Sequence, residues 1–192
     1  MSEVKKGRLL IFSAPSGAGK TTLVKFLMDA IPNLEFSISA CSRSPRKAET
    51  DGIDYHFLSA EEFLARIKNN EFVEWEEVYK DMYYGTLRSE VERIRNKGNH
   101  VVFDLDVKGG VNIKEQFGDE ALAVFVKPPS IEILKQRLLG RNTETEESIK
   151  KRLARAEFEL GFESKFDVCI INDDLEKAKM KALETVQNFL KT

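Results

Sequence analysis

Residues 14–22 read Ala-Pro-Ser-Gly-Ala-Gly-Lys-Thr-Thr, a spacing suited to holding phosphate groups. Gly17 and Gly19 allow the backbone to curl so that successive N–H groups point at one anion. Lys20 then supplies positive charge for the terminal phosphates of a nucleoside triphosphate, and the Thr21 hydroxyl is suited to a bound Mg²⁺. The pattern usually has glycine where this chain has Ala14, and alanine serves there if its φ stays below zero. The stretch therefore predicts a phosphate-binding P-loop formed by Ala14, Pro15, Ser16, Gly17, Ala18, Gly19, Lys20, Thr21 and Thr22.

A second group of anion-seeking residues lies in the polar segment 40–52, where Arg43 and Arg46 flank Pro45. A guanidinium group matches the oxygens of a phosphate bidentately, so this pair is suited to a second phosphorylated ligand. A solvated surface loop would have the same composition. The segment by itself leaves both interpretations open.

Two carboxylates, Asp104 and Asp106, end the apolar run that begins at His100. In P-loop enzymes an acidic residue at the carboxyl end of a strand handles Mg²⁺ or its water ligands. An acidic turn after a strand is also common without any such role. The P-loop favours the metal-handling interpretation, but the sequence does not say which of the two aspartates serves.

Arginines recur in the segment 137–163, where a predicted helix breaks at Gly140. Arg137 and Arg141 are four residues apart and share a helix face, and Arg152 follows the intervening polar loop. Such residues suit a flap that closes on phosphates and excludes water. Neighbouring glutamates offer the alternative of ordinary surface ion pairs.

Strands and helices alternate along the chain and must position these residues. The pattern predicts strands at 8–13, 100–106, 121–126 and 168–171, with helices between them and a last helix over 175–190. This alternation indicates an α/β fold, a parallel-sheet P-loop NTPase core.

Residues 36–88 interrupt that alternation. A short strand over 35–39, a carboxylate-rich strand over 72–79 and an aromatic turn over 81–86 predict a small mixed α/β lobe. We interpret this lobe as an insertion that binds the substrate.

Bulk composition excludes several classes of protein. The 192 residues are 42% hydrophobic and 32% charged with a net charge of −2, which fits one globular domain and no general nucleic-acid or membrane-surface binder. The two cysteines and two histidines are far apart, so no zinc cluster is expected. The first residues lack the apolar core of a signal peptide, and we expect a cytoplasmic protein with reduced thiols.

Motifs along nearly the whole chain resemble those of the guanylate kinase family, P-loop kinases of nucleoside monophosphates. They are Ser-Ala-Pro-Ser-Gly-Ala-Gly-Lys-Thr at 13–21, Ser-Arg-Ser-Pro-Arg-Lys-Ala-Glu at 42–49, Asp-Tyr-His-Phe at 54–57, Glu-Phe-Val-Glu-Trp at 71–75, Tyr-Tyr-Gly-Thr at 83–86, Asp-Leu-Asp at 104–106, Arg-Leu-Leu-Gly-Arg at 137–141 and Ile-Asn-Asp-Asp at 171–174. Many NTPases share the P-loop, whereas the run at 42–49 with Tyr-Tyr-Gly downstream is much more particular.

The resemblance implies ATP-dependent phosphorylation of GMP to GDP, with Mg²⁺ as the cofactor. It implies one domain over 1–192 with three parts: a core of about 1–35, 99–136 and 164–192, a GMP-binding lobe of about 36–88 and a helical lid of about 137–163. ATP and GMP are the implied partners, without a nucleic acid polymer or a membrane. Use of dGMP stays open, as does the choice between a monomer and a homodimer.

The family's functional positions map onto this chain residue by residue. The acceptor nucleotide would contact Ser39, Arg43, Arg46, Glu49, Tyr55, Glu74, Tyr84, Thr86, Asp104 and Asp106. On the ATP side, Arg137 and Arg141 join the P-loop, and Asn172 matches a position near the adenine ring. The catalytic set implied is Lys20, Arg43, Asp104, Arg137, Arg141 and Arg152.

Guanine chemistry independently supports Glu74 as the residue that selects the base. Guanine presents N1–H and an exocyclic amine as adjacent donors, which one carboxylate accepts together. Adenine lacks this donor pair and would leave the carboxylate without a partner. A kinase-inactive interaction module built on the same fold is the main rival interpretation, and the intact P-loop argues against it.

Overall fold

The apolar run before the P-loop forms strand β1 (Leu9–Ser13), and every side chain in it is buried. The computed structural model describes residues 6–140 and 146–191. Within these limits the chain divides into two units. The P-loop unit comprises 9–34 and the described part of 102–191, and the inserted unit comprises 6–8 and 35–101.

A five-stranded sheet has the strand order β2-β7-β1-β8-β9. The other strands are β2 (Leu34–Phe36), β7 (His100–Leu105), β8 (Ala121–Lys127) and β9 (Val168–Ile171). Strands β1, β8 and β9 run parallel, with Leu9 opposite Ala121 and Val124 opposite Val168. The predicted α/β fold with a parallel sheet is therefore confirmed, since parallel strands joined through helices build this class of fold.

Helices connect and cover these strands. In the P-loop unit they are α1 (Lys20–Ala30), α4 (Val107–Phe117), α5 (Ile131–Leu139), α6 (Glu146–Leu160) and α7 (Leu175–Lys191). Helix α7 buries Ala178, Ala182 and Val186, whose four-residue spacing places them on one face. They join a core that contains Leu10 and Phe12 of β1, so burial of apolar surface fixes the strand that leads into the P-loop.

The inserted unit contains a second sheet with the strand order β4-β3-β6-β5. Its strands are β3 (Ala40–Cys41), β4 (His56–Phe57), β5 (Phe72–Tyr79) and β6 (Met82–Leu87), and its helices are α2 (Ala60–Lys68) and α3 (Arg88–Arg95). Phe63 of α2 stacks on Phe72 and Tyr83 at ring-centroid distances of 4.3 and 5.6 Å. These rings form a small core on one face of the sheet and leave the other face for polar residues.

Two sequence-based boundaries in the inserted unit were wrong. Residues 82–86, which belong to the predicted turn over 81–86, form most of β6, because Tyr83, Gly85 and Leu87 alternate toward the buried face. The turn lies just before them, where Asp81 has a φ of 60°. The strand predicted over 35–39 is also shorter, since the Ile38 N–H donates to Glu90 Oε1 (3.4 Å).

Within residues 6–140 and 146–191, none of the helices has both the length and the apolar character needed to span a membrane.

Candidate active site

The P-loop curls at two glycines with positive φ, 96° at Gly17 and 99° at Gly19. Gly19 is the N-cap of α1 and has no side chain to occupy the helix N-terminus, which leaves that end suited to an anion. A turn inside the loop is closed by the Ala18 N–H donating to Pro15 O (3.0 Å). Ala14 does not have a positive φ, so alanine can stand at this position, where the pattern usually has glycine.

Lys20 and Thr21 both contact Asp104 at the end of β7. Lys20 Nζ forms an ion pair with the Asp104 carboxylate and donates to the Leu105 carbonyl (2.9 Å). The Thr21 hydroxyl donates to Asp104 Oδ2 (3.2 Å). The structure thus brings together three residues that the sequence predicted separately, and Asp104 is held where it contacts both P-loop side chains.

The oxygens of Thr21 and Asp104 are a chemically suitable pair for Mg²⁺. Both are hard donors, and Mg²⁺ bound with a nucleotide takes only one or two protein ligands, with phosphates and water completing its octahedron. Among the described residues, groups of three or more His, Cys, Asp and Glu side chains arranged to hold a metal are absent. The two oxygen donors of Thr21 and Asp104 fit an ion that takes its other ligands from phosphate and water.

Asp106, which the sequence predicted as a site residue, has a local structural role. Its Oδ1 accepts from the Gly109 N–H (2.9 Å) and makes Asp106 the N-cap of α4. Its Oδ2 lies 3.6 Å from Arg155 Nη2 on α6. The Ser13 hydroxyl donates to the Asp106 main-chain carbonyl (3.0 Å), a contact that the motifs did not indicate.

Of the three arginines predicted to belong to a lid, the structure describes Arg137 and Arg152. Arg152 Nη1 donates to the hydroxyl of Ser16 in the P-loop (3.0 Å). Arg137 Nη2 donates to the main-chain carbonyl of Asn172 (2.8 Å). The predicted role of Arg141 stays a prediction, because that residue lies outside the described ranges.

Asn172 lies in the P-loop unit and is only 4% exposed. Its Nδ2 donates to the Ala18 carbonyl (2.7 Å), so the amide faces the P-loop. The predicted position near adenine is not tested by this contact, but the contact itself was absent from the sequence-based prediction. The distance along the chain explains this, because the two partners are 154 positions apart in the sequence.

In the inserted unit, Arg43 is enclosed by four side chains. Its guanidinium donates bidentately to Glu49 (2.6 and 2.7 Å), and its Nε donates to the Tyr84 hydroxyl (3.0 Å). Arg43 Cζ lies 5.0 Å from the ring centroid of Tyr55 and 5.6 Å from that of Phe57. The structure therefore assembles Arg43, Glu49, Tyr55 and Tyr84 as neighbours, as one phosphate-binding group would require.

Charge pairing determines the protonation states of this cluster. Hydrogen bonds from Arg43 lower the pKa of Glu49 from an ordinary 4.5 to about 2. The carboxylate in turn raises the pKa of Arg43. The Arg46 N–H also donates to Glu49 (2.8 Å), while the Arg46 side chain is exposed. Phe57 was missed, although period-two spacing from Tyr55 could have identified it.

Glu74 and Thr86 are directly opposite each other on β5 and β6. The Thr86 hydroxyl donates to Glu74 Oε1 (2.7 Å), and Thr86 is fully buried. Tyr84 is two residues from Thr86 on the same strand, so its side chain lies on the same face. Ser39 is half-buried immediately before β3, and its carbonyl accepts from the His56 N–H (2.9 Å).

Comparison with known proteins gives one consistent family. A family model described as guanylate kinase matches residues 6–191. The chain is 56% identical over 184 residues to a guanylate kinase of Bacteroides thetaiotaomicron, covering 96% of this chain and 90% of that protein. It is 51% identical over 184 residues to one from Porphyromonas gingivalis, covering 95% and 98%. A crystal structure of guanylate kinase from Anaplasma phagocytophilum superposes with a TM-score of 0.74 at 28% identity, covering 98% of this chain and 88% of that one.

Proposed function

Because the chain belongs to the guanylate kinase family, we propose that it transfers the γ-phosphoryl group of ATP to GMP, giving ADP and GDP. The observation that supports this proposal is that the chain contains two groups suited to binding phosphate, the P-loop with Lys20 and the cluster around Arg43. One suits a triphosphate, and the other suits a monophosphate. Two such sites are the minimum that a direct phosphoryl transfer between nucleotides requires.

On the donor side, the P-loop N–H groups and Lys20 bind the β- and γ-phosphates. The ion pair with Asp104 holds Lys20 in position before ATP binds, and phosphate oxygens then compete for its ammonium group. Arg137 and Arg152 add positive charge as the phosphoryl group moves. Arg141 belongs to the same proposed set by its place in the motif.

Mg²⁺ is part of this proposal. When bound, the ion would supply positive charge that offsets the negative charge developing on the transferred phosphoryl group. Thr21 would hold it directly, and Asp104 would orient its water ligands. Thr21 and Asp104 also orient each other through their hydrogen bond, so a substitution of one residue would disturb the other as well.

On the acceptor side, Arg43, Arg46, Tyr55 and Tyr84 bind the phosphate of GMP, and Glu49 holds Arg43 in a fixed orientation. The preformed guanidinium needs little ordering when the ligand binds, which reduces the entropic cost of binding.

Ser39, Glu74 and Thr86 bind the guanine base. Thr86 donates to one oxygen of Glu74, and a carboxylate is suited to accept the two adjacent donors of guanine together. Asp104 and Asp106 complete the proposed acceptor contacts. The protein therefore aligns and neutralises two anions while its own residues form no covalent bond.

The test is an ADP-release assay with Mg-ATP and each of GMP, AMP, CMP and UMP. Turnover with GMP, and little with the other three acceptors, is expected. Folded protein that binds GMP but turns over none of the acceptors would contradict the proposed activity. That outcome would instead favour an interaction module that retains the acceptor site. The same assay with dGMP addresses whether the 2′-hydroxyl is needed.

A further inference from the structure

Asn172 connects three parts of the P-loop unit. Its N–H donates to the Lys127 carbonyl at the end of β8 (2.8 Å), and its own carbonyl accepts from Arg137 Nη2 (2.8 Å). Its side-chain Nδ2 donates to the Ala18 carbonyl in the P-loop (2.7 Å). Because the residue is only 4% exposed, these bonds form away from competing water. One residue thereby links the sheet, an arginine of α5 and the phosphate-binding loop.

The P-loop backbone also packs closely against this side chain. A Cβ built on Gly19 would overlap with Asn172 Nδ2, so the amide occupies the space that the missing side chain leaves. Gly19 has a φ of 99°, which an L-residue rarely adopts. On the other side of the loop, a Cβ on Gly17 would be 3.1 Å from both Leu134 and Leu138 of α5. The loop is therefore held between α5 and Asn172.

The orientation of the amide follows from its partner. The Ala18 carbonyl can only accept a hydrogen bond, so the nitrogen of the amide, and not its oxygen, must face it. The remaining Oδ1 is buried and has no hydrogen-bond partner among the described residues. Neither polar atom of this side chain is thus presented at the surface, where a purine base would meet it.

We propose that Asn172 is a positioning residue for the triphosphate site: it holds the P-loop at Ala18 and Gly19, and Arg137 beside it, and it does not select the adenine base. This inference rests on the proposed function, because it assigns Asn172 a part in binding the phosphoryl donor. Asn172 affects the substrate indirectly, through the conformation of the P-loop that it stabilises. We therefore expect a substitution of Asn172 to weaken binding of every triphosphate to the same extent, whichever base the nucleotide carries.

The experiment compares wild type with Asn172→Ala, using ATP, GTP, CTP and UTP as donors to GMP and measuring nucleotide products by chromatography. We expect kcat/KM to fall by about tenfold for every donor the wild type uses, the loss of one buried hydrogen bond. Inorganic tripolyphosphate, which has no base, serves as a competitor of ATP. Its inhibition constant is expected to rise by the same factor, while the KM for GMP stays unchanged.

Lys114→Ala is the matched control, because Lys114 Nζ donates to the main-chain carbonyls of Gly118 and Ala121 elsewhere in the same unit. It is expected to lower the thermal unfolding midpoint and to leave tripolyphosphate binding unchanged. If Asn172→Ala does not fold, the same measurements are made on Asn172→Ser, which retains a shorter hydrogen-bond donor. A smaller decrease in kcat/KM is then expected for every donor.

Two results would overturn the inference. A loss confined to ATP, with other donors and tripolyphosphate unaffected, would show that Asn172 reads adenine. A lower unfolding midpoint with unchanged kinetics would show a role in stability alone. Wild-type protein that binds tripolyphosphate but phosphorylates no acceptor would count against the proposed function, whereas the tripolyphosphate comparison between variants would still test the role of Asn172.

Discussion

At the scale of single residues, Glu74 is the side chain whose charge the proposed guanine site needs. Glu74→Gln replaces one acceptor oxygen with an NH₂ group, which would face a donor of the base. Because hydrogen bonds to a charged group contribute about 1.5–3 kcal/mol, we expect kcat/KM for GMP to fall by roughly 10- to 100-fold. Steady-state kinetics with varied GMP at saturating ATP measures this loss.

Glu77→Gln is the control for this substitution. Glu77 is exposed and three residues along the same strand, on the opposite face, where its carboxylate accepts from the Asp81 N–H (2.9 Å). A glutamine at this position retains an acceptor, and GMP kinetics should not change. Unchanged GMP kinetics in Glu74→Gln would mean that the base is selected by other residues.

Local sequence patterns indicated candidate phosphate-binding residues, but they did not indicate which residues these side chains contact in the fold. Lys20 and Arg43 were identified because glycine spacing and an arginine pair are local patterns. The ion pair of Lys20 with Asp104 joins positions 84 residues apart, and nothing local encodes it. Phe57 lacks a polar group, so charge gave no reason to expect its ring against Arg43, although the residue belongs to the motif at 54–57.

At the scale of elements, strands β5 and β6 position the proposed guanine site, and Gly85 allows them to approach. A Cβ on Gly85 would lie 2.6 Å from the Glu74 carbonyl oxygen and 2.9 Å from Trp75 Cβ. Both are atoms of β5 that cannot move without moving the strand. Sequence reasoning placed β5 correctly and assigned β6 to a turn, because Asp81 and Gly85 are residue types that are common in turns.

Gly85→Ala is therefore expected to displace β5 and with it Glu74. Overpacking of this kind costs about 1–3 kcal/mol of unfolding free energy. The displaced carboxylate should raise the KM for GMP by roughly tenfold or more while leaving the KM for ATP unchanged, since small misplacements in a site are costly. Urea unfolding and kinetics with each substrate varied separately measure the two effects.

Gly118→Ala is the control for this substitution, because it introduces backbone strain without displacing a strand. Gly118 has a φ of 51°, and a Cβ there would meet no atom within 4 Å. Backbone strain should lower stability by about 1–3 kcal/mol without any change in the KM for GMP. If both glycine variants changed the KM for GMP equally, loss of stability, and not movement of β5, would explain the effect.

At the scale of the whole molecule, stability depends on pH through groups that the fold holds in one protonation state. Glu49 has a pKa of about 2 in the folded protein against 4.5 ordinarily, because Arg43 donates to it. Between these values the unfolded chain binds more protons, so the contribution of Glu49 to stability is complete above pH 4.5 and is lost as the pH falls toward 2.

Cys41 is fully buried, and burial raises the pKa of its thiol above 9.0. Its contribution is complete below pH 9.0 and is lost as the pH rises through the higher, folded value.

We therefore expect the thermal unfolding midpoint to be highest between about pH 5 and 8 and to fall on both sides. Glu49→Gln should reduce the dependence on pH between 4.5 and 2 and leave the alkaline side as in wild type. Cys41→Ala should do the reverse, reducing the dependence above pH 9.0 because the thiol that ionises on unfolding is gone. Scanning calorimetry of the three proteins across this range measures both windows. Parallel curves for wild type and Glu49→Gln at acid pH would mean that the ion pair of Glu49 with Arg43 is not maintained in solution. Parallel curves for wild type and Cys41→Ala at alkaline pH would mean that water reaches the thiol in the sheet that carries the proposed acceptor site.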